Sequence, residues 1–84
     1  MSYSIKIDNT VYRSLSGIPK ADRIKIINAI DELSENPDIG KQLKGTFKTL
    51  RTIRVGKYRV LYGINHEELL VLVVRIGHRR DVYR

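Results

Sequence analysis

Residues 50–64 confine this chain to a sheet-containing fold more tightly than any other stretch. Two alternating runs rich in β-branched and aromatic residues, L-R-T-I-R-V and Y-R-V-L-Y-G-I, flank the dipeptide Gly56-Lys57. A two-residue connection with glycine first suits a type II′ hairpin turn. With that turn, Val55 faces Tyr58 and Arg54 lies directly opposite Arg59. Like charges directly opposite each other on a sheet are destabilising. A hairpin that keeps such a pair points to an anion held between the two. For a basic protein the most available anion is a phosphate of a nucleic acid.

The rest of the chain reads around this hairpin. Tyr3, Ile5 and Ile7 alternate with Ser4, Lys6 and Asp8, the period of a half-buried strand. Asp8, Asn9 and Thr10 are N-cap candidates for a short helix that carries Val11, Tyr12 and Leu15 inward and ends at Gly17. Pro19 starts a longer helix in which Ile26, Ile27, Ile30 and Leu33 form an apolar stripe, stopped by Asn36-Pro37. Residues 38–49 read as a loop that tucks Leu43 and Phe47 inward and leaves Lys41, Lys44 and Lys48 outside. Residues 69–76, L-L-V-L-V-V-R-I, are almost wholly apolar, as in a central strand covered on both faces. The order β-α-α-β-β-β predicts an α+β fold: a small antiparallel sheet with two N-terminal helices on one face, in a single domain spanning residues 1–84.

Composition narrows the function. Eighty-four residues sit near the lower limit for one self-sufficient core, and the absence of cysteine removes disulfides and thiol-ligated metals together. It also fits a reducing cytoplasm. Neither a signal peptide nor a membrane-length apolar run is visible. The formal net charge of +7 suits a polyanionic partner. Five of the acids, Asp22, Asp31, Glu32, Glu35 and Asp38, gather in the central helix and its exit, and the C-terminal half is strongly basic.

Pairing residues 58–64 with 69–76 across a tight turn places Tyr58 and Arg59 beside Val74 and Arg75. The residues leaving the last strand then emerge beside the Gly56-Lys57 turn, so Arg54, Arg59, His78, Arg79 and Tyr83 are expected to share one end of the sheet. The chain offers no paired carboxylates, no serine–histidine–acid arrangement, no glycine-rich phosphate loop and no metal-ligand spacing. A cationic cluster with a tyrosine and a histidine remains. Clustered guanidiniums can hold a scissile phosphate and stabilise its extra transition-state charge. Tyrosine and histidine can move protons. The set suits a cofactor-free, metal-independent ribonuclease in which the RNA's own 2′-hydroxyl attacks, a nucleophile DNA lacks. Arg75 either extends toward the same patch or pairs with an acid. His66, in a hairpin tip at the far end, reads as solvent-exposed and without a functional role.

Three runs carry a family likeness: residues 43–45 (L-K-G), 53–62 (I-R-V-G-K-Y-R-V-L-Y) and 75–84 (R-I-G-H-R-R-D-V-Y-R). Together they resemble the RelE/ParE superfamily of toxin–antitoxin toxins, most of all its RelE branch, over essentially the whole chain. The resemblance implies a microbial RNase-like fold and an endonuclease that cuts mRNA in the ribosomal A site. It implies the ribosome, mRNA and a cognate RelB-like antitoxin as partners, no membrane, and a cytoplasmic location. The family's basic strand position falls on Arg54, its hairpin arginine on Arg59, the arginine after the final strand on Arg79 and its C-terminal tyrosine on Tyr83. By this likeness the arginines hold phosphate, and Tyr83 serves proton transfer or base stacking. His78 is a further acid–base candidate. Lys44, Lys48, Arg51, Lys57 and Arg80 are the expected RNA contacts around that centre.

The chain departs from the family pattern at Arg51-Thr52, where many relatives carry an aromatic and then a basic residue. Thr52 shares a strand face with Arg54, so that basic group is missing from the expected site. The terminal tyrosine argues against the gyrase-poisoning ParE branch. That branch and a catalytically weak RNA- or antitoxin-binding relative are the two rival readings.

Overall fold

The computed structural model describes residues 2–45 and 49–78. Phe47, Lys48, Arg79, Arg80 and Tyr83 of the expectations above lie outside the described residues. The elements run β1 (Ser4–Ile7), α1 (Asn9–Leu15), α2 (Lys20–Leu33), a 3₁₀ turn (Pro37–Ile39), β2 (Lys41–Gln42), β3 (Leu50–Val55), β4 (Tyr58–Asn65) and β5 (Leu70–His78). The strands form one sheet in the order β1-β5-β4-β3-β2. The expected α+β architecture is present, with one correction. The sheet is mixed, because β1 pairs with β5 in parallel, Ile5 beside Val71 and Ile7 beside Val73. Period-two alternation says which residues face the core, but carries no information about strand direction.

Each helix begins and ends for a local reason. The Asp8 carboxylate accepts the Thr10 N–H at 2.9 Å and caps α1. Hydrogen bonding by Thr10 holds that carboxyl below its ordinary range. Ser16, not Gly17, is the C-cap, with its N–H on the Arg13 carbonyl. Val11 and Leu15 are buried as expected, whereas Tyr12 is 66% exposed. In α2, capped by Pro19, Ile26, Ile30 and Leu33 form the buried stripe, and Ile27 is 41% exposed. Both exceptions follow a buried residue by one position, which turns a side chain about 100° around the helix and out of the interface.

Cross-strand partners share a sheet face, and the register therefore sorts the strands into two surfaces. Ile53, Val55, Tyr58, Val60, Tyr62, Val71, Val73 and Ile76 lie on the helix side, where they pack with Ile26, Ile30 and Leu33. The opposite surface carries Leu50, Thr52, Arg54, Arg59, Leu61, Leu70, Leu72 and Arg75. Leu72 is 37% exposed there, so β5 is central in the sheet but not covered on both faces. Its apolar composition does not separate these two cases.

A bulge keeps both surfaces in phase. Tyr62 pairs with Val73 and Leu61 with Arg75, leaving Val74 as the extra residue of β5. The β4–β5 connection also falls one residue later than expected, at residues 66–69 and not 65–68, since Asn65 pairs with Leu70. Together they move the register by three residues from the sequence expectation. Tyr58 and Arg59 face His78 and Gly77, not Val74 and Arg75.

The segment after α2 is tied down by one phenol. Tyr62 is fully buried, and its hydroxyl donates to the Pro37 carbonyl at 2.6 Å while accepting the Gly40 N–H at 2.9 Å. Burial pushes the phenol pKa up, partly offset by the Gly40 hydrogen bond. Arg51 reinforces the tie, its guanidinium donating to the Gly40 carbonyl at 2.7 Å and lying 3.6 Å from the Asp38 carboxylate. Gly40 can approach this closely only because it has no Cβ, which would overlap the Tyr62 ring and hydroxyl.

Tyr62→Phe strands the buried Gly40 N–H and Pro37 carbonyl, and a loss of about 1–3 kcal/mol is expected in urea unfolding. The phenol pKa is raised in the folded state, so its stabilisation is complete below the ordinary tyrosine pKa and is lost as pH rises through the folded value. The phenylalanine variant will therefore show a shallower alkaline loss of stability than the parent protein. Gly40→Ala will cost more than a surface substitution, read in the same unfolding assay.

Candidate phosphate site on the open sheet face

The hairpin turn forms as its sequence demands. Gly56 takes φ +61° and Lys57 does not share the left-handed region, the pattern of a type II′ turn. Val55 then pairs with Tyr58 and Arg54 with Arg59. Both arginines stand on the sheet surface opposite the helices. One row further along, Lys41, Thr52, Leu61 and Arg75 lie side by side across β2, β3, β4 and β5. Four cationic residues thus frame a neutral centre of Thr52 and Leu61.

A cleft of about 570 Å³ opens at this edge of the sheet, lined by Lys41, Thr52, Ile53, Arg54 and Arg59, with Ala29, Glu32 and Ile39 as its other wall. Thr52 is 4% exposed, and its Oγ1 has no hydrogen-bond partner among the described residues. A hydroxyl buried without a partner costs about 1–3 kcal/mol. No group of histidines and carboxylates that could hold a metal occurs among the described residues. Positive charge gathers at this cleft, and a guanidinium pair can grip two oxygens of one phosphate.

The structure brings together some of the expected site residues and separates others. Arg54 and Arg59 meet as expected. His78 pairs with Tyr58, their rings edge-to-face at 6.1 Å, so the register sets it on the helix side, away from the arginine pair. Arg51 faces the helix side, as strand alternation implies, and its guanidinium is engaged by Gly40 and Asp38. Lys44 and Lys57 are exposed, and Arg75 is exposed on the same face as the arginine pair. Lys48, Arg79, Arg80 and Tyr83 lie outside the described residues. His66, expected to be idle, bonds through Nδ1 to the Tyr3 hydroxyl at 2.9 Å and thereby links β1 to the β4–β5 connection. Lys41 is the cleft residue that sequence reading missed. A two-residue strand is too short to show alternation, so the sequence carried no signal of which way it faces.

Comparison with known proteins gives this arrangement a family. Residues 5–83 match the model of the ParE toxin of type II toxin–antitoxin systems, parDE. The toxin RelG of Mycobacterium tuberculosis is 33% identical over 86 residues, covering 100% of this chain and 99% of that protein. The toxin–antitoxin complex RelBE2 of M. tuberculosis contains a chain with TM-score 0.85 and 30% identity, covering 94% of this chain and 100% of that one. The archaeal RelE–RelB complex of Pyrococcus horikoshii contains another, with TM-score 0.79 and 27% identity, covering 98% and 100%. The chain belongs to the RelE/ParE superfamily of type II toxin–antitoxin toxins. Within it, the named relatives and solved structures are of the RelE type.

Arg54→Gln removes one of two opposed charges on the sheet. Thermal stability is expected to hold or rise by up to about 1 kcal/mol at low ionic strength, and salt will shrink that gain. Phosphate or oligonucleotide affinity will fall in the same variant. Calorimetry and anisotropy titration at two salt concentrations check both signs.

Proposed function

We propose that this toxin is a metal-independent endoribonuclease that cleaves mRNA in the ribosomal A site and so arrests translation and growth. The observation that carries the reading is the Arg54–Arg59 pair, set opposite each other on the sheet face that the helices leave uncovered. In the proposed reaction the 2′-oxygen bonds to phosphorus as the bond to the 5′-oxygen breaks. One proton leaves the 2′-hydroxyl and one reaches the departing 5′-oxygen, giving a 2′,3′-cyclic phosphate. Arg54, Arg59 and Arg79 hold the phosphate and its growing charge. Tyr83 is the candidate for proton transfer or base stacking. With His78 placed beside Tyr58, it is the weaker candidate for acid or base. The partner that restrains the toxin is a small RelB-like antitoxin, supported by the RelE–RelB complexes among its structural relatives. Toxin, antitoxin and ribosome would meet in the cytoplasm.

A second reading rests on the family model itself, whose description is of ParE. It makes the chain a gyrase-directed toxin that acts through protein contact. Induction from a tight promoter, with mRNA ends mapped by primer extension, separates the two. New ends in phase with codons on translated messages are expected, and are expected to disappear in the Arg54→Gln/Arg59→Gln variant and in Arg79→Ala. Growth arrest with intact mRNA and a DNA-damage response would instead establish the gyrase reading.

A further inference from the structure

We propose that Lys41 is a phosphate-binding residue of the same cleft, placed there by the clamp on Gly40. The proposal rests on the nucleic-acid reading of the Arg54–Arg59 pair and adds a residue to it.

Three observations converge. First, β2 pairs Lys41 directly with Thr52, which puts the lysine on the face shared by Arg54 and Arg59, one row away. Directly opposite residues on a sheet have Cβ atoms about 5 Å apart. The flexible stem of lysine spans further than that, so its ammonium can reach a phosphate gripped by the arginine pair. Second, Lys41, Thr52, Arg54 and Arg59 line one cleft. Lys41 is exposed and makes no ion pair within 4.0 Å among the described residues, Glu32 on the far wall included. Third, its backbone is fixed from the core. The preceding Gly40 is held through its N–H by the Tyr62 hydroxyl and through its carbonyl by Arg51.

Thr52 completes the logic. A second cation at position 52 would stand directly opposite Lys41 and oppose it, as Arg59 opposes Arg54. A neutral residue at 52 lets one ammonium occupy this row from the β2 side. The position of the charge, set across the strand pair, is then exchangeable between residues 41 and 52.

The test uses the full chain and a single-stranded 2′-O-methyl oligoribonucleotide, which has the phosphates of RNA and cannot be cut by a 2′-hydroxyl mechanism. Binding is read by fluorescence anisotropy across a salt series. Removing one phosphate contact to a single strand lowers the salt slope by about 0.7, which at 0.1 M salt corresponds to roughly fivefold weaker binding. Lys41→Gln is expected to show that loss, and Lys25→Gln, on the exposed surface of α2, is not. The exchange Lys41→Thr/Thr52→Lys is expected to recover the parent slope, whereas Lys41→Thr alone is not. Equal behaviour of Lys41→Gln and Lys25→Gln would overturn the assignment of Lys41 while leaving the arginine pair intact. Unchanged binding in Arg54→Gln/Arg59→Gln would overturn the phosphate site itself, and Lys41 with it. Melting curves of each variant confirm that losses come from binding and not from unfolding.

Discussion

The buried hydroxyl of Tyr62 is the interaction on which the β2 edge of the sheet depends. It sits at the centre of β4, on the helix side of the sheet, and reaches the chain where α2 has just ended. Its two hydrogen bonds satisfy a carbonyl and an N–H of the same short segment, Pro37 and Gly40. Left unpaired in the interior, those groups would each carry a desolvation cost. The bonds also set the direction in which the chain leaves the 3₁₀ turn, so β2 arrives antiparallel to β3 with Lys41 against Thr52. A glycine at position 40 is the steric condition for that approach.

From this anchor the two sheet faces acquire opposite characters. The helix side collects almost all of the buried apolar side chains, and a domain of this size has little area to spare for anything else. The other side keeps its cations. Arg54 and Arg59 stand opposite each other at a small cost in folding free energy, and Lys41 and Arg75 extend the positive field around a neutral centre. Charges concentrated in this way suit a ligand that brings several negative charges at fixed spacing, as a nucleic-acid backbone does. Apolar packing and positive charge are thus divided between faces of a single sheet, and the strand alternation performs the division.

The Val74 bulge and the hairpin set register in different ways. The hairpin register follows from its glycine turn, and Arg54 opposite Arg59 was already legible from the spacing of the two runs. The β4–β5 register was not legible in the same way. A connection that falls one residue later than expected and one inserted residue together moved the register by three, setting Tyr58 and Arg59 beside His78 and Gly77 where Val74 and Arg75 were expected. They also set His78 beside Tyr58 on the helix side. A shift of an odd number of residues exchanges the two faces of a strand, which is why the histidine parted from the arginines although both stand at the same end of the sheet.

By itself the sequence determined the element order, the two helices, the hairpin and its facing arginines, because each is written in local periods and turn residues. It also carried a family likeness that residues 5–83 bear out. Tertiary structure decided what has no local period. Pairing with β5 made β1 a parallel edge strand, the bulge moved His78 to the helix side, and the Tyr62–Gly40 clamp oriented a two-residue strand. Arg51 became a tether for Gly40 and Asp38 for the same reason. Its face followed from alternation, but its partners come from a loop that only the folded chain brings within reach.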